Sequence, residues 1–190
     1  MPYRLDLIQH NIVEGCLRQN RKCQEQLYRH CHAPMLRVCR LYVWQPQEAA
    51  ALYNTAMLKV FTSMGQYGNK GDLMAWIRRI VVNTCIDHCR GQARFTTQPL
   101  EGIQEEDYAV SPEVYAQLSA TDSIYLLQDL PPASAMVFNL FAMEGYKHQE
   151  IAEILKISVG TSKWHLNEAR RLLKQRLTTI TNLTMYHNAG

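Results

Sequence analysis

No apolar run in this 190-residue chain is long enough to cross a bilayer. The first fifteen residues, "MPYRLDLIQHNIVEG", lack the apolar stretch and small-residue cleavage site of a secretion signal. Both absences lead to the expectation of a soluble, cytoplasmic protein without membrane insertion. The six cysteines, at 16, 23, 31, 39, 85 and 89, form no close Cys-x-x-Cys pair. Disulfides are therefore not expected. His30–Cys31–His32 and Cys85–x3–Cys89 with His88 fall short of four well-placed ligands, so no metal and no other cofactor is expected. The chain has no phosphate-binding Gly-x4-Gly-Lys loop, no Gly-x-Ser-x-Gly and no His-Glu-x-x-His. Those gaps argue against an enzyme and leave no catalytic residues to name. Strand-like alternation, internal repeats and low-complexity tracts are missing too.

Helical periodicity is what remains, in a chain that is 47% apolar. Leu5, Ile8, Ile12 and Cys16 recur at helical spacing, and Gln19–Asn20 ends that run. A second helix, about 22–43, places Leu27, Cys31, Met35, Val38 and Tyr42 on one side, with Pro34 predicted to kink or restart it. "WQPQ" is a turn, and a third helix covers about 47–63. "GQYGNKGD" holds three glycines in seven residues and reads as a loop, after which Asp72 is placed to cap a helix over 73–90. Residues 92–119 show no sustained period and contain Pro99, Gly102, Pro112 and "EEDY", the composition of a linker. Beyond it, short helices are predicted at 124–130, 133–144 and 150–155, then a long one at 159–177. The last residues read as a frayed tail.

Charge follows the same division. Residues 1–91 carry twelve Lys or Arg against six Asp or Glu, a net +6; residues 92–129 carry one against seven, a net −6. Residues 130–190 return to +3, with seven against four. Basic blocks on either side of an acidic one favour a polyanionic partner and an acidic tether.

Two stretches carry candidate chemistry. In "EIAEILKISVGTSKWHLNEARR", Ile151, Ala152 and Leu155 supply one apolar side, and Lys156–Ile157–Ser158 a junction at which Ser158 can cap the next helix. Ser162, Leu166, Ala169 and Leu173 then share one face. Gly160, Trp164, Asn167 and Arg171 share the opposite one, with Lys163 and Arg170 at the flank. This is a helix-turn-helix plan, in which the second helix offers its first turns to the major groove; an ordinary helical hairpin with a solvated basic face is the other reading. Lys156 stands where many such turns carry glycine. In "GDLMAWIRRIVVNTCIDHCR", Leu73, Ile77, Ile80 and Thr84 form one face and Trp76, Arg79, Asn83 and Arg90 another. Guanidinium groups bind phosphate, an amide reads an adenine edge, and indole stacks on an unpaired base. Phe61, Tyr67, Asn69 and Lys70 lie in or near the glycine loop that would shape a pocket for an extruded base.

Segments 58–90 and 130–177, with a weaker match in "QEQLYRHCHAPMLRVCRLYV" at 24–43, resemble the extracytoplasmic-function sigma factors of bacterial RNA polymerase. The resemblance implies an all-α protein: a region 2-like domain at 1–91, a linker at 92–119, a region 4-like helix-turn-helix domain at 120–180 and a tail at 181–190. The first domain would bind the polymerase core, through its beta and beta-prime subunits, and melt the minus-10 element. Asn69, Lys70, Trp76, Arg79, Asn83 and Arg90 would contact that DNA. Gly160, Thr161, Ser162, Lys163, Trp164, Asn167 and Arg171 would read the minus-35 element. An anti-sigma factor or another DNA-targeting protein is the further partner implied. The third helix departs from the family, with Ala50, Ala51, Asn54 and Thr55 where acidic residues and a glutamine usually face polymerase. Two alternatives stay open: a helix-turn-helix regulator that binds duplex DNA without polymerase, and a degenerate sigma acting as an interaction protein.

Overall fold

A computed structural model describes residues 11–68, 71–92, 127 and 129–187. The expected linker falls outside these residues but for Gln92, the helix expected at 124–130 is described only at 127, 129 and 130, and the first ten positions lie outside. Among the described residues there is no strand, and the fold class is all-α. The chain divides into two compact units, Met1–Cys89 and Arg90–Gly190.

In the first unit, α1 occupies 11–17 and ends where Gln19 takes a left-handed φ of 57°. The Asn20 side chain then accepts from the N–H groups of Lys22 (2.9 Å) and Cys23 (3.3 Å), starting α2 at Arg21. Helix α2 runs to Arg40 through Pro34 without restarting. Pro34 lies on the exposed side, so the carbonyl left without its helical donor is met by solvent rather than buried. Leu27, Cys31, Met35, Val38 and Tyr42 are all buried, as their spacing predicts. Pro46 begins α3 (Pro46–Thr62), using its fixed φ where a missing N–H costs nothing. Ala49, Tyr53, Ala56, Met57 and Val60 fill the core from this helix.

The predicted glycine loop is shorter than its composition suggests. Met64–Tyr67 forms a single helical turn, α4, pinned by the buried Met64 and by the Gln66 N–H bonded to the Ser63 carbonyl at 2.8 Å. Gly68 (φ 60°) and Gly71 (φ 87°) then adopt left-handed backbone that a side chain would resist. Asp72 caps α5 (Leu73–Gln92): its carboxylate accepts the Met74 N–H at 2.9 Å. Leu73, Ile77, Val81, Thr84, Cys85 and Ile86 are buried, whereas Ile80 is only half-buried. None of the six cysteines is in a disulfide; five are buried and Cys23 is half-buried.

In the second unit, α6 starts at Pro132 and extends to Phe138. Its last turn, Asn139–Met143, widens to π geometry and closes at Gly145, whose φ is 75°. The Glu150 carboxylate accepts the Lys147 N–H at 2.7 Å, opening α7 (His148–Leu155). Helix α8 runs from Val159 to His187, about 43 Å. The expectation of a frayed tail after Leu177 is therefore corrected: the helix continues ten residues further. Leu130, Met136, Val137, Leu140, Ile151, Leu155, Leu166, Ala169 and Leu173 form this unit's core. No described helix is long and apolar enough to cross a membrane.

Candidate nucleic-acid interface

Helix α5 sorts its residues by period. Arg79, Asn83 and Arg90 are exposed on the side away from the core. Trp76 is half-buried at the edge of the same face, its ring 5.4 Å from that of Tyr67 at an interplanar angle of 47°. The indole thus serves packing and exposure together. Tyr67 donates its hydroxyl to the Gly71 carbonyl at 2.6 Å. Asp87, on the exposed side as well, is paired with Lys59 at 3.7 Å, which tempers the only acid among these positions. Asn69 and Lys70 lie outside the described residues.

The second surface is built on the turn between α7 and α8. Lys156 takes φ 56°, ψ 46°, and the N–H groups of Lys156 and Ile157 both reach the Ala152 carbonyl, the latter at 3.0 Å. That is the closure glycine usually provides. The Ser158 Oγ accepts the Thr161 N–H at 2.9 Å, so the expected cap is in place. Gly160 is exposed, and Lys163, Trp164, Asn167 and Arg171 are half-buried.

Two residues assigned to DNA by the resemblance do not stand on this surface. Thr161 is 8% exposed, its hydroxyl 2.8 Å from that of Ser158. Ser162 is fully buried, with its Oγ 2.9 Å from the His148 Nδ1. The physical reason is the helical period: Ser162 is in phase with Leu166, Ala169 and Leu173, the core face. Of the residues that the resemblance assigns to the minus-35 element, Gly160, Lys163, Trp164, Asn167 and Arg171 remain at least partly at the surface, and Thr161 and Ser162 do not.

The side chains around this helix are mutually braced. Arg171 donates Nε and Nη2 to both Glu168 oxygens, at 2.8 and 2.7 Å. That pairing holds the Glu168 carboxyl below its ordinary range. Arg170 lies over Phe141, 5.7 Å from the ring centre, and Phe141 stacks on His148 at 4.7 Å. Trp164 meets His165 edge-on at 4.7 Å. His165 is 3% exposed and 3.0 Å from the Ser134 Oγ; burial pushes its pKa down. Sequence period placed Arg170 on the flank but gave no sign of Phe141 or His148, because they come from other elements. Among the described residues, no three His, Cys, Asp or Glu gather as a metal site.

A helix-turn-helix with a basic outer face, in a chain that also presents an indole, an amide and guanidinium groups along a separate helix, defines a nucleic-acid-binding protein of two helical units. Comparison with known families narrows the class. Residues 27–95 match Sigma-70 region 2, and residues 124–173 match Sigma-70, region 4. The ECF RNA polymerase sigma factor SigM of Mycobacterium tuberculosis is 28% identical over 153 residues, 80% of this chain and 76% of that protein. RNA polymerase sigma-H factor of Pseudomonas aeruginosa is 24% identical over 182 residues, 89% and 93% of the two chains. The solved structure of CnrH in complex with the cytosolic domain of CnrY aligns over 92% of this chain and 97% of that one, at 17% identity and a TM-score of 0.47. The chain belongs to the sigma-70 family, among its extracytoplasmic-function members, and is a transcription initiation factor that acts with RNA polymerase at promoter DNA. This family is not a family of enzymes.

Proposed function

We propose that the first unit opens promoter DNA and the second anchors it upstream. The exposed line along α5 carries this reading: Arg79, Asn83 and Arg90 beside the half-buried Trp76 and the glycine-bounded turn. Unstacking a base step costs a few kcal/mol, so an opening factor must hold the released strand. The guanidinium groups of Arg79 and Arg90 hold phosphates, Asn83 reads a base edge, and Trp76 stacks on an unpaired base. Asn69 and Lys70, which lie between α4 and α5 in the sequence, complete the minus-10 set. Upstream, Lys163 and Arg171 contact phosphate or guanine, Asn167 reads a base edge, and Trp164 adds an apolar contact at the minus-35 element. Gly160 lets the backbone approach.

On this reading the functional divisions fall at 1–91, 92–119, 120–180 and 181–190, and the protein works in the cytoplasm. Polymerase core is bound through its beta and beta-prime subunits, with the outer face of α3 as one contact. Ala51, Asn54 and Thr55 are exposed there and Ala50 half-buried, so the departures from the family lie on the surface rather than in the core. The Thr55 hydroxyl donates to the Ala51 carbonyl (3.0 Å) and the Tyr28 hydroxyl to Asn54 Oδ1 (2.7 Å). Leu58 is 64% exposed beside them, which supports a neutral, partly apolar contact instead of an ionic one. An anti-sigma factor or a DNA-targeting protein is the further partner that the family resemblance implies; co-purification from the native host tests it.

Asn83→Ala decides the central assignment. With polymerase core and a duplex promoter carrying 2-aminopurine in the opened segment, the variant opens DNA more slowly while binding core as the parent does. Opening at the parental rate would overturn the role of α5.

A further inference from the structure

We infer that Tyr67 is a positioning residue for promoter opening: it clasps the chain between α4 and α5 and sets the orientation of Trp76 at the same time. The inference rests on the reading of α5 given above. Tyr67 is the last residue of α4, and its hydroxyl donates to the Gly71 carbonyl at 2.6 Å, directly before the Asp72 cap of α5. One hydrogen bond therefore ties the point where the chain leaves α4 to the point where it enters α5. The ring of the same residue packs on Trp76 at 5.4 Å, one turn into α5. Backbone at both ends of the clasp is left-handed, with Gly68 at φ 60° and Gly71 at φ 87°. A Cβ at Gly71 would meet nothing within 4 Å, so its glycine answers to backbone conformation and not to crowding.

Left to glycine alone, such a connection samples many conformations, and capturing a DNA strand would bear the cost of ordering it. A bond already made in the free protein removes part of that cost before DNA arrives. The Tyr67 phenol suits the task because it stays protonated: desolvation, aided by Asp72, raises its pKa further above neutrality. Its donor is thus present throughout the pH range in which the protein works. Trp76 also gains from the contact. The half-buried indole, restrained by Tyr67, has fewer orientations to lose when it stacks on a base. Neither residue reaches this arrangement through the helical period of α5.

Tyr67→Phe removes the hydroxyl and keeps the ring. The full chain is assembled with polymerase core on a promoter selected from a randomised library with the parent chain, labelled with 2-aminopurine. The variant should open the duplex about five-fold more slowly, the scale of one neutral hydrogen bond, with core affinity unchanged. In the free protein, the amides of Met74 and Trp76, both bonded to Asp72, should exchange with deuterium faster by a similar factor, because the entry of α5 is held less firmly. A purely structural role would instead lower thermal stability and core affinity together. If Asn83→Ala is slow and Tyr67→Phe opens DNA and exchanges its Met74 and Trp76 amides as the parent does, the clasp is wrong and the reading of α5 survives. If Asn83→Ala opens normally, that reading itself fails. Should Tyr67→Phe bind core poorly, parental exchange at Met74 and Trp76, or faster exchange with a lowered melting temperature, overturns the clasp, and faster exchange at an unchanged melting temperature supports it.

Discussion

A single backbone angle separates this helix-turn-helix from the usual sequence pattern. Lys156 holds φ 56° with a Cβ present, a conformation that costs an L-residue about 1–2 kcal/mol. Glycine would adopt it without that strain, at the price of a more flexible unfolded chain. Lys156→Gly should therefore stabilise the second unit by about 1 kcal/mol in urea unfolding; a destabilised variant would mean that the left-handed turn is not what closes α7. Gln19 is in the same conformation after α1. Both positions were visible as junctions in the sequence, since apolar periodicity stops at each. That a lysine and a glutamine would take the glycine conformation was not visible, because it depends on both helices being held by their cores.

Helix α8 must serve its core and DNA with one period. Ser162 belongs to the core, where its hydroxyl meets His148, and Lys163 one residue later lies outside it. Adjacent substitutions should accordingly give opposite phenotypes. Ser162→Ala removes a hydrogen bond to the half-buried His148 and lowers stability by about 1 kcal/mol, with sequence preference at the upstream element unchanged. Lys163→Ala leaves the melting temperature alone and weakens upstream DNA binding, with the salt slope reduced by about 1 if the contact is to phosphate. Arg171→Ala should cost less than Lys163→Ala, because two of its donors are held by Glu168. Fluorescence anisotropy at several salt concentrations, beside thermal melts, separates these effects. An affinity loss in Ser162→Ala without loss of stability would return that residue to the DNA surface.

At the scale of the molecule, acid should act on the second unit through His165 and Glu168. The His165 pKa is lowered by burial, against a smaller opposing influence of Glu168. Between the folded and unfolded values the unfolded chain binds the extra proton, so stability rises with pH across that window. The contribution is whole above about 6.5, the ordinary histidine value, and is lost as pH falls below it. Glu168, with its pKa lowered by Arg171, adds stability that is present above its unfolded value and lost as pH falls through the folded one. Thermal melts at pH 7.5 and 5.5 should show the second unit weakened at the lower pH, and His165→Gln should flatten the difference. Equal melting at both pH values would count against a buried neutral His165. Such a residue illustrates how the information is divided. Sequence alone determined the helical class, the core faces of α2, α5 and α8, the Asp72 and Ser158 caps and the outward line of Arg79, Asn83 and Arg90, because a helix repeats with a fixed period and a cap is a local bond. Family resemblance placed Thr161 and Ser162 on DNA; the period already put Ser162 inside, and packing against His148 decided it. Only the tertiary structure decided the clasp of Tyr67 on Gly71, the stack of Arg170, Phe141 and His148, and the burial of His165 against Ser134. Each joins groups whose distance is set by how helices and turns pack, and no spacing along the chain encodes that distance.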